Sequence, residues 1–423
     1  MKVLWILSSP IGRMSELFSG SPTQSGTWVD ATLACLTKTD DEIVVAIAAG
    51  HTDSRTVRDE DGTTYYGVSG VVPRRGRRAR SSDRKKWRAV IEDFRPDLIQ
   101  VWGTEFTNAL DVMDAADDIP VVVNIQGLVK VIADHKYGDM RLTDLMSKVG
   151  FVDKIKCVGY YSRYLWLSRQ RQYEAEIVRR SSGIITDSDW CSAQFSWMAS
   201  SVPAYRYSMP VGDAFLSDQW GYERCSANRL FCIAGTGPYK GIHTLLEALA
   251  LVKREVPDVR LMVPGTLSGN GSENPYVAYL RSLITEKSLS DNVHFCGILD
   301  SAAMADQMLQ ASIMVMPSCV ENQSSTLWEA MYLGVPCISS VAGSAHEVIR
   351  HELNGMLYRY GESEVLAYYI VKLLKDSALA RSIGGNAYES IRAVHPTENL
   401  GSALLHIYEA VLGTPLPKRL SRG

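Results

Sequence analysis

The chain has 423 residues, 46% of them hydrophobic and 22% charged, with a formal net charge of −3. That length exceeds what one core usually organises and suits two domains of roughly 200 residues each. The composition excludes a disordered chain, and the net charge by itself names no partner.

In chain order, short apolar or β-branched runs recur: "KVLWILSSP", "EIVVAIAAG", "DLIQVWGTE", "PVVVNIQG" and "GIITDS". The first of them is too short for the apolar region of a secretory signal and reads as a buried strand. After a break come "LFCIAGTG", "VRLMVPGT", "NVHFCG", "SIMVMPS" and "PCISS". Continuous rather than alternating apolar runs indicate strands covered on both faces, hence parallel sheets. Helical patterns such as "IHTLLEALALVKRE" and "TLWEAMYL" lie between several of them. Strand–helix alternation in two blocks predicts an α/β protein with two doubly wound domains. The expected division is residues 1–208, a linker at 209–227, a second domain at 228–395, and a C-terminal helix and tail at 396–423 that packs back on the first domain. Two such domains facing one another would direct their strand carboxyl ends into a shared deep cleft, where open α/β sheets bind ligands.

The eight cysteines form no C-x-x-C pair, and several stand inside apolar runs, as in "LFCIAG" and "VPCISS". Reduced, buried thiols in a reducing compartment are expected, not a disulfide framework or a zinc site. No run approaches the ~18 apolar residues of a membrane span. A cytoplasmic protein is therefore expected, able to lie peripherally on the inner face of the membrane.

Two stretches carry chemistry. In "LFCIAGTGPYKGIHTLLEAL" a strand enters a turn with Gly235, Thr236, Gly237 and Lys240 and leaves into a helix. Backbone N–H groups near glycines, a helix N-terminus and a lysine suit an anion, although a tight turn with a solvated lysine has the same appearance. The spacing is G-x-G-x-x-x-G, and the next strand ends in Pro264-Gly265 without the acidic residue of an NAD site, so a dinucleotide reading is disfavoured. In "SIMVMPSCVENQSSTLWEAMYLGVP" a strand, a loop and a helix follow in turn, the helix closed by Gly334. Ser324, Ser325 or Thr326 would cap that helix, with their amides at its mouth. Glu321 in the loop and Glu329 about one turn into the helix would offer carboxylates to hydroxyl groups.

Glu321 and Glu329, "EAMYLGVPCISSVAG" and "EVIRHELNGMLY" together resemble the retaining glycosyltransferases of family 4 (glycosyl transferases group 1), which have the GT-B fold of two facing Rossmann-like domains. "KGIHTLLEAL", "NVHFCGIL" and "SIMVMPS" agree in order, so the resemblance covers the second half nearly throughout. In the first half "SGTWVDATLACL", "RPDLIQVWGTEF", "VVVNIQGLV" and "GIITDSDW" match more loosely, in the manner of a bacterial surface-polysaccharide branch. The resemblance implies transfer of a sugar from a nucleotide diphosphate sugar, a UDP-sugar before a GDP-sugar, to a saccharide acceptor in polysaccharide synthesis. It implies that Glu321 holds donor-sugar hydroxyls, with loop amides at Asn322, Gln323 and Ser324. The amides of Ser325, Thr326 and Leu327 would hold phosphate, and Lys240 would neutralise the leaving diphosphate. Glu329 would bind the ribose, Gly297 to Leu299 would lie by the base, and Gly26 would let the first domain close on the phosphates. No further cofactor is implied, and no metal. Asp187-Ser188-Asp189 has the D-x-D form that could hold an ion, but its place before "WCSAQFSW" suits a helix cap.

Two departures stand out. Thr236 occupies the turn where the family often has arginine, and Gln126-Gly127 the position of a frequent cleft histidine. Glu105, Gln126 and His135 are the acceptor-side candidates. The basic segment at 74–88, "RRGRRARSSDRKKWR", suits an anionic membrane surface, an acidic acceptor or a solvated loop, and the aromatic–basic stretch at 148–172 an interfacial helix or a core helix with snorkelling ends; together they point to a lipid-linked acceptor at the membrane. Nucleic acid is not expected, since no binding module accompanies the basic run. A sugar-nucleotide epimerase, a phosphorylase and a non-catalytic nucleotide-sugar binder stay open as alternatives.

Overall fold

The computed structural model describes residues 1–413 apart from 21–26, 41, 72–80, 148–150, 234, 236, 268–274 and 323, with the backbone alone at 27, 81, 142, 146–147 and 151–164. It divides into two units, one formed by residues 1–130, 167–210 and 397–423, the other by 131–166 and 211–396.

The first unit is built on strands β1 (Lys2–Leu7), β2 (Val44–His51), β3 (Arg55–Arg58), β4 (Thr64–Ser69), β5 (Leu98–Trp102), β6 (Val121–Asn124), β7 (Gly183–Thr186) and β8 (Ala204–Arg206). They form one sheet in the order β3-β4-β2-β1-β5-β6-β7-β8, parallel except for the β3–β4 pair. Val3 of β1 stands opposite both Val45 and Leu98, so the continuous apolar runs meet side by side at the sheet centre. Each residue of β5 is buried, as strands covered on both faces require. The C-terminal helix Leu400–Leu412 belongs to this unit: Tyr408 accepts a hydrogen bond from Trp5 Nε1 at 3.0 Å and donates one to Gln100. Gly401 lets that helix press on Thr27–Thr39, because a Cβ there would fall 2.1 Å from the Cys35 carbonyl oxygen.

The second unit carries β9 (Arg229–Phe231), β10 (Arg260–Val263), β11 (Val293–Phe295), β12 (Ile313–Met316), β13 (Cys337–Ser340) and β14 (Met356–Tyr358), all parallel, in the order β11-β10-β9-β12-β13-β14. Residues 131–166 join it although they interrupt the first unit in sequence. The reason is apolar: Leu145 is buried in the same core as Leu245, Tyr276 and Leu280, with Tyr137 and Met140 packed against it. Strands β3, β4, β8 and β14 are absent from the runs singled out in the sequence. β3, β8 and β14 are short, and β3 and β8 keep most of their residues at the surface, while β4, "TYYGVS", is buried along its middle but interrupts its apolar residues with threonine, glycine and serine. Among the described cysteines all are free, and Cys191, Cys232 and Cys337 are buried.

Candidate functional site

The candidate donor site lies within the second unit, where β9 and β12 give way to their loops. After β9 the chain makes a tight turn over Pro238–Lys240 and enters the helix Ile242–Glu255. Pro238 supplies a preset φ at the first position, and Gly241 closes the turn at φ +71°, a conformation that glycine adopts without strain. A Cβ on Gly241 would fall 1.9 Å from the Pro317 carbonyl oxygen, so this glycine also permits close approach to the loop after β12. The Cys319 N–H donates to the Tyr239 carbonyl at 2.7 Å and ties the same two loops together.

That approach puts the two expected catalytic groups in contact. Lys240 Nζ donates to Glu321 Oε1 at 2.6 Å, with only 28% and 13% of the side chains exposed. Burial alone would lower the lysine, but the Glu321 charge and hydrogen bond outweigh it and hold Lys240 above its ordinary value. The Glu321 backbone is fixed from the far side. Gly343 sits at φ +53°, where a Cβ would lie 1.5 Å from the Glu321 carbonyl oxygen. Ser344 Oγ donates to the Asn322 carbonyl at 2.7 Å.

The helix Ser325–Leu333 starts at Ser324, whose hydroxyl accepts the Leu327 N–H at 3.2 Å, and ends at Gly334 in the left-handed region. The Leu327 amide is thus engaged in the cap, while Ser325 is exposed and Thr326 half-buried at the helix mouth. Glu329 follows one turn later. Part of it reaches the surface, yet protein crowds its carboxyl, and this desolvation pushes it up to about 7. Among the described residues it forms no hydrogen bond or ion pair. Gly235 is exposed and Gly237 opens the lysine turn. Gly297 exchanges hydrogen bonds with Gly265, 2.6 and 3.1 Å, joining the ends of β10 and β11, and nothing lies within 4 Å of a Cβ built at either glycine. Leu299 is half-buried beside Ile298, which is 77% exposed. Gly26, Thr236, Gln323 and residues 74–80 of the basic segment lie outside the described residues.

Two clusters were not legible in the sequence. Behind the lysine turn, His243 Nε2 lies 2.8 Å from Asp139 Oδ1 and its Nδ1 2.9 Å from the Tyr276 hydroxyl. Tyr360 donates to the same Asp139 oxygen at 2.9 Å. Burial would raise Asp139, but the His243 and Tyr360 contacts outweigh it and hold the carboxyl below its ordinary value. In the first unit, buried Glu174 accepts from Thr104 Oγ1 at 2.8 Å and from the Val129 and Lys130 N–H groups at 2.9 and 2.8 Å. It caps the helix Val129–Asp134 from outside, and burial still raises it to about 7. No local spacing announces either cluster, because the partners are far apart in sequence.

Of the acceptor-side candidates, Glu105 and Gln126 come together after β5 and β6. A Cβ built at Gly103 would lie 2.2 Å from the Glu105 carboxylate and 3.5 Å from Gln126 Oε1. His135 is exposed just beyond the helix Val129–Asp134 and belongs to the second unit. In the Asp187–Asp189 stretch, Ser188 accepts the Cys191 N–H at 3.1 Å and caps the helix Asp189–Ser196, while Asp189 takes Arg206.

Residues 225–390 match the family model described as Glycosyl transferases group 1. N-acetyl-alpha-D-glucosaminyl L-malate synthase of Bacillus anthracis is 31% identical over 173 residues, 41% of this chain and 43% of that protein. Phosphatidyl-myo-inositol mannosyltransferase of Mycobacterium leprae is 28% identical over 192 residues, 45% and 48% of the two chains. The chain therefore spans less than half the length of either relative. In structure it resembles sucrose-phosphate synthase from Thermosynechococcus elongatus, with a TM-score of 0.72 at 15% identity over 98% of this chain and 99% of that one. Anabaena HepE in complex with UDP and glucose gives a TM-score of 0.67 at 17% identity, covering 97% and 100%. At such identities the likeness speaks for the fold alone, two parallel-sheet α/β domains of the GT-B type. On that fold, residues 225–390 form a Glycosyl transferases group 1 domain.

Proposed function

We propose that the protein is a retaining glycosyltransferase that moves a sugar from a nucleoside diphosphate sugar, a UDP-sugar before a GDP-sugar, to a saccharide acceptor. The observation that carries this reading is the contact of Lys240 with Glu321 beside the mouth of the helix Ser325–Leu333. In this reading the bond from the anomeric carbon to the diphosphate oxygen breaks while the acceptor oxygen bonds the same face of that carbon. The acceptor hydroxyl's proton passes to the departing diphosphate. Negative charge grows on the leaving oxygen, and Lys240 with the Ser325 and Thr326 amides is arranged to stabilise it. As Lys240 turns to the diphosphate, Glu321 is released to accept hydrogen bonds from the sugar hydroxyls. Glu329 receives the ribose diol, and the open backbone at Gly265 and Gly297 leaves room for the base.

Neighbouring structures that hold UDP or UDP-glucose support the donor class, and relatives described as GDP-mannose-dependent mark the competing one. A lipid-linked acceptor, work at the inner face of the bacterial membrane in surface-polysaccharide synthesis, and peripheral attachment belong to the same proposal. It draws on Arg84, Lys85 and Arg88, exposed on the helix Ser81–Phe94, and on a relative named for phosphatidyl-myo-inositol. No described helix is long and apolar enough to cross a membrane.

Thermal unfolding against UDP, GDP, ADP, dTDP and NAD tests the proposal. A nucleoside diphosphate at a hundred times its Kd should add about 2.7 kcal/mol of stability. UDP is expected to give the largest shift, and sugar transfer with the matching donor should yield a product whose anomeric configuration is retained by NMR. Stabilisation by NAD alone would overturn the reading, as would an inverted product overturn its stereochemistry.

A further inference from the structure

The first unit carries a groove that the donor chemistry does not use. It has a volume of 640 Å³ and is lined by one face of the helix Phe151–Arg180, by the end of the helix Asp189–Ser196 and by Lys130. Arg171, Gln172, Ala175, Glu176 and Arg179 recur at helical spacing along that face, and Gln194, Trp197 and Met198 stand opposite. Trp197 is 94% exposed, so nearly the whole indole is open to a ligand. Lys130, Arg171 and Arg179 are exposed cations against the single carboxylate of Glu176. Among the described residues Lys130 and Arg179 form no ion pair.

We infer that this groove binds an acidic saccharide, a chain of sugar rings bearing carboxylate or phosphate groups. The flat apolar face of a pyranose ring packs on an indole, and Trp197 presents one almost fully open to solvent. Gln172, Gln194 and Glu176 supply donors and acceptors for ring hydroxyls, and the surplus of positive charge selects an acidic chain over a neutral one. The volume lies in the range of small-ligand sites. An anionic bilayer fits less well, because the groove is concave and places Glu176 and two amides where lipid headgroups would press. Identifying this saccharide with the acceptor rests on the proposed transferase reading; its binding does not.

Calorimetric titration of the full chain with trigalacturonate and with neutral maltotriose tests the inference, alongside Trp197→Ala and Arg179→Glu. Trigalacturonate is expected to bind at least tenfold more tightly than maltotriose and to lose about tenfold in each variant. UDP stabilisation should stay unchanged in both variants, which separates failure here from failure of the donor reading. Inorganic phosphate displacing trigalacturonate with no effect of Trp197→Ala would overturn the assignment in favour of a bare anion site. Binding to phosphatidylglycerol vesicles without any trigalacturonate binding would overturn it in favour of a membrane contact. Absence of trigalacturonate binding, or binding indifferent to both substitutions, would overturn it outright.

Discussion

Glu329 and Glu174 are both raised to about 7, and replacing each by glutamine should have opposite consequences. For Glu329, desolvation is the sole cause, and no described donor offsets it. Its folded value stands above the ordinary 4.5, so the unfolded chain ionises first as pH rises. Stability is therefore full below pH 4.5 and is lost progressively until about pH 7. At about 1.4 kcal/mol per pH unit the loss amounts to about 3 kcal/mol at pH 8, an upper figure because part of the side chain reaches water. Glu329→Gln removes the ionisation and should stabilise the ligand-free protein by up to that amount at pH 8, and by less than about 1 kcal/mol at pH 5. The same change should weaken nucleoside diphosphate binding about tenfold or more, since the charged acceptor proposed for the ribose is lost. Urea unfolding at the two pH values, paired with UDP titration, reads both effects. A variant less stable than the parent at pH 8, or a gain equal at pH 5 and pH 8, would refute the reasoning. Glu174→Gln is the control with the other sign. The carboxylate there accepts three hydrogen bonds, and an amide would turn N–H toward N–H, costing about 1–3 kcal/mol at pH 8.

Lys240→Met should leave the Glu321 carboxylate without its partner and lower transfer about a hundredfold or more, whereas Glu321→Gln should lose turnover while keeping most UDP affinity. Initial rates and UDP titrations on both variants check the split, and equal losses of affinity would count against the separate roles. Asp139→Asn should lower stability by about 1–2 kcal/mol at pH 7 and loosen the lysine turn, raising the donor KM several-fold. Because Asp139 lies below its ordinary value, this stabilisation is present at neutral pH and disappears on acidification through the folded value, so parent and variant should converge in acid unfolding. Gly343→Ala should cost more than about 2 kcal/mol and impair sugar transfer while most stabilisation by UDP persists, since it adds left-handed strain and displaces the Glu321 carbonyl. Gly265→Ala, at φ +93° with open space around it, should cost only the strain, about 1–2 kcal/mol, and thermal unfolding with and without UDP compares the two.

Much of the fold was legible because parallel strands buried on both faces leave continuous apolar runs. Val3 to Leu7, Leu98 to Trp102 and Ile313 to Met316 are such runs, and all are buried. The helix Ser325–Leu333 was legible from its ends, a serine cap and a left-handed glycine, which are local chemistry. What escaped depends on distance along the chain. Asp139 reaches His243 across 104 residues and Glu174 reaches Lys130 across 44, and neither pairing leaves a pattern within any window. The attachment of residues 131–166 to the second unit escaped for the same reason: Leu145 and Met140 look like any other apolar residues until their core is seen.

The two glutamates eight residues apart are held by unlike constraints. Glu321 owes its place to backbone contacts from outside its loop: the approach of Gly241 to Pro317, the Cys319–Tyr239 hydrogen bond, the Gly343 contact and the Ser344 hydroxyl. Glu329 owes its place to the helix, whose start is set by Ser324 and whose buried side is Leu327, Trp328, Ala330 and Met331. Ser324 stands between the two regimes, ending the clamped loop and opening the helix. A helix alone would place residues eight apart more than two turns from one another, so the spacing acquires meaning only because the loop folds back to meet Lys240. The E-x7-E pattern is therefore a record of a loop and a helix joined at one cap, and changes on the loop side should alter sugar handling separately from nucleoside binding.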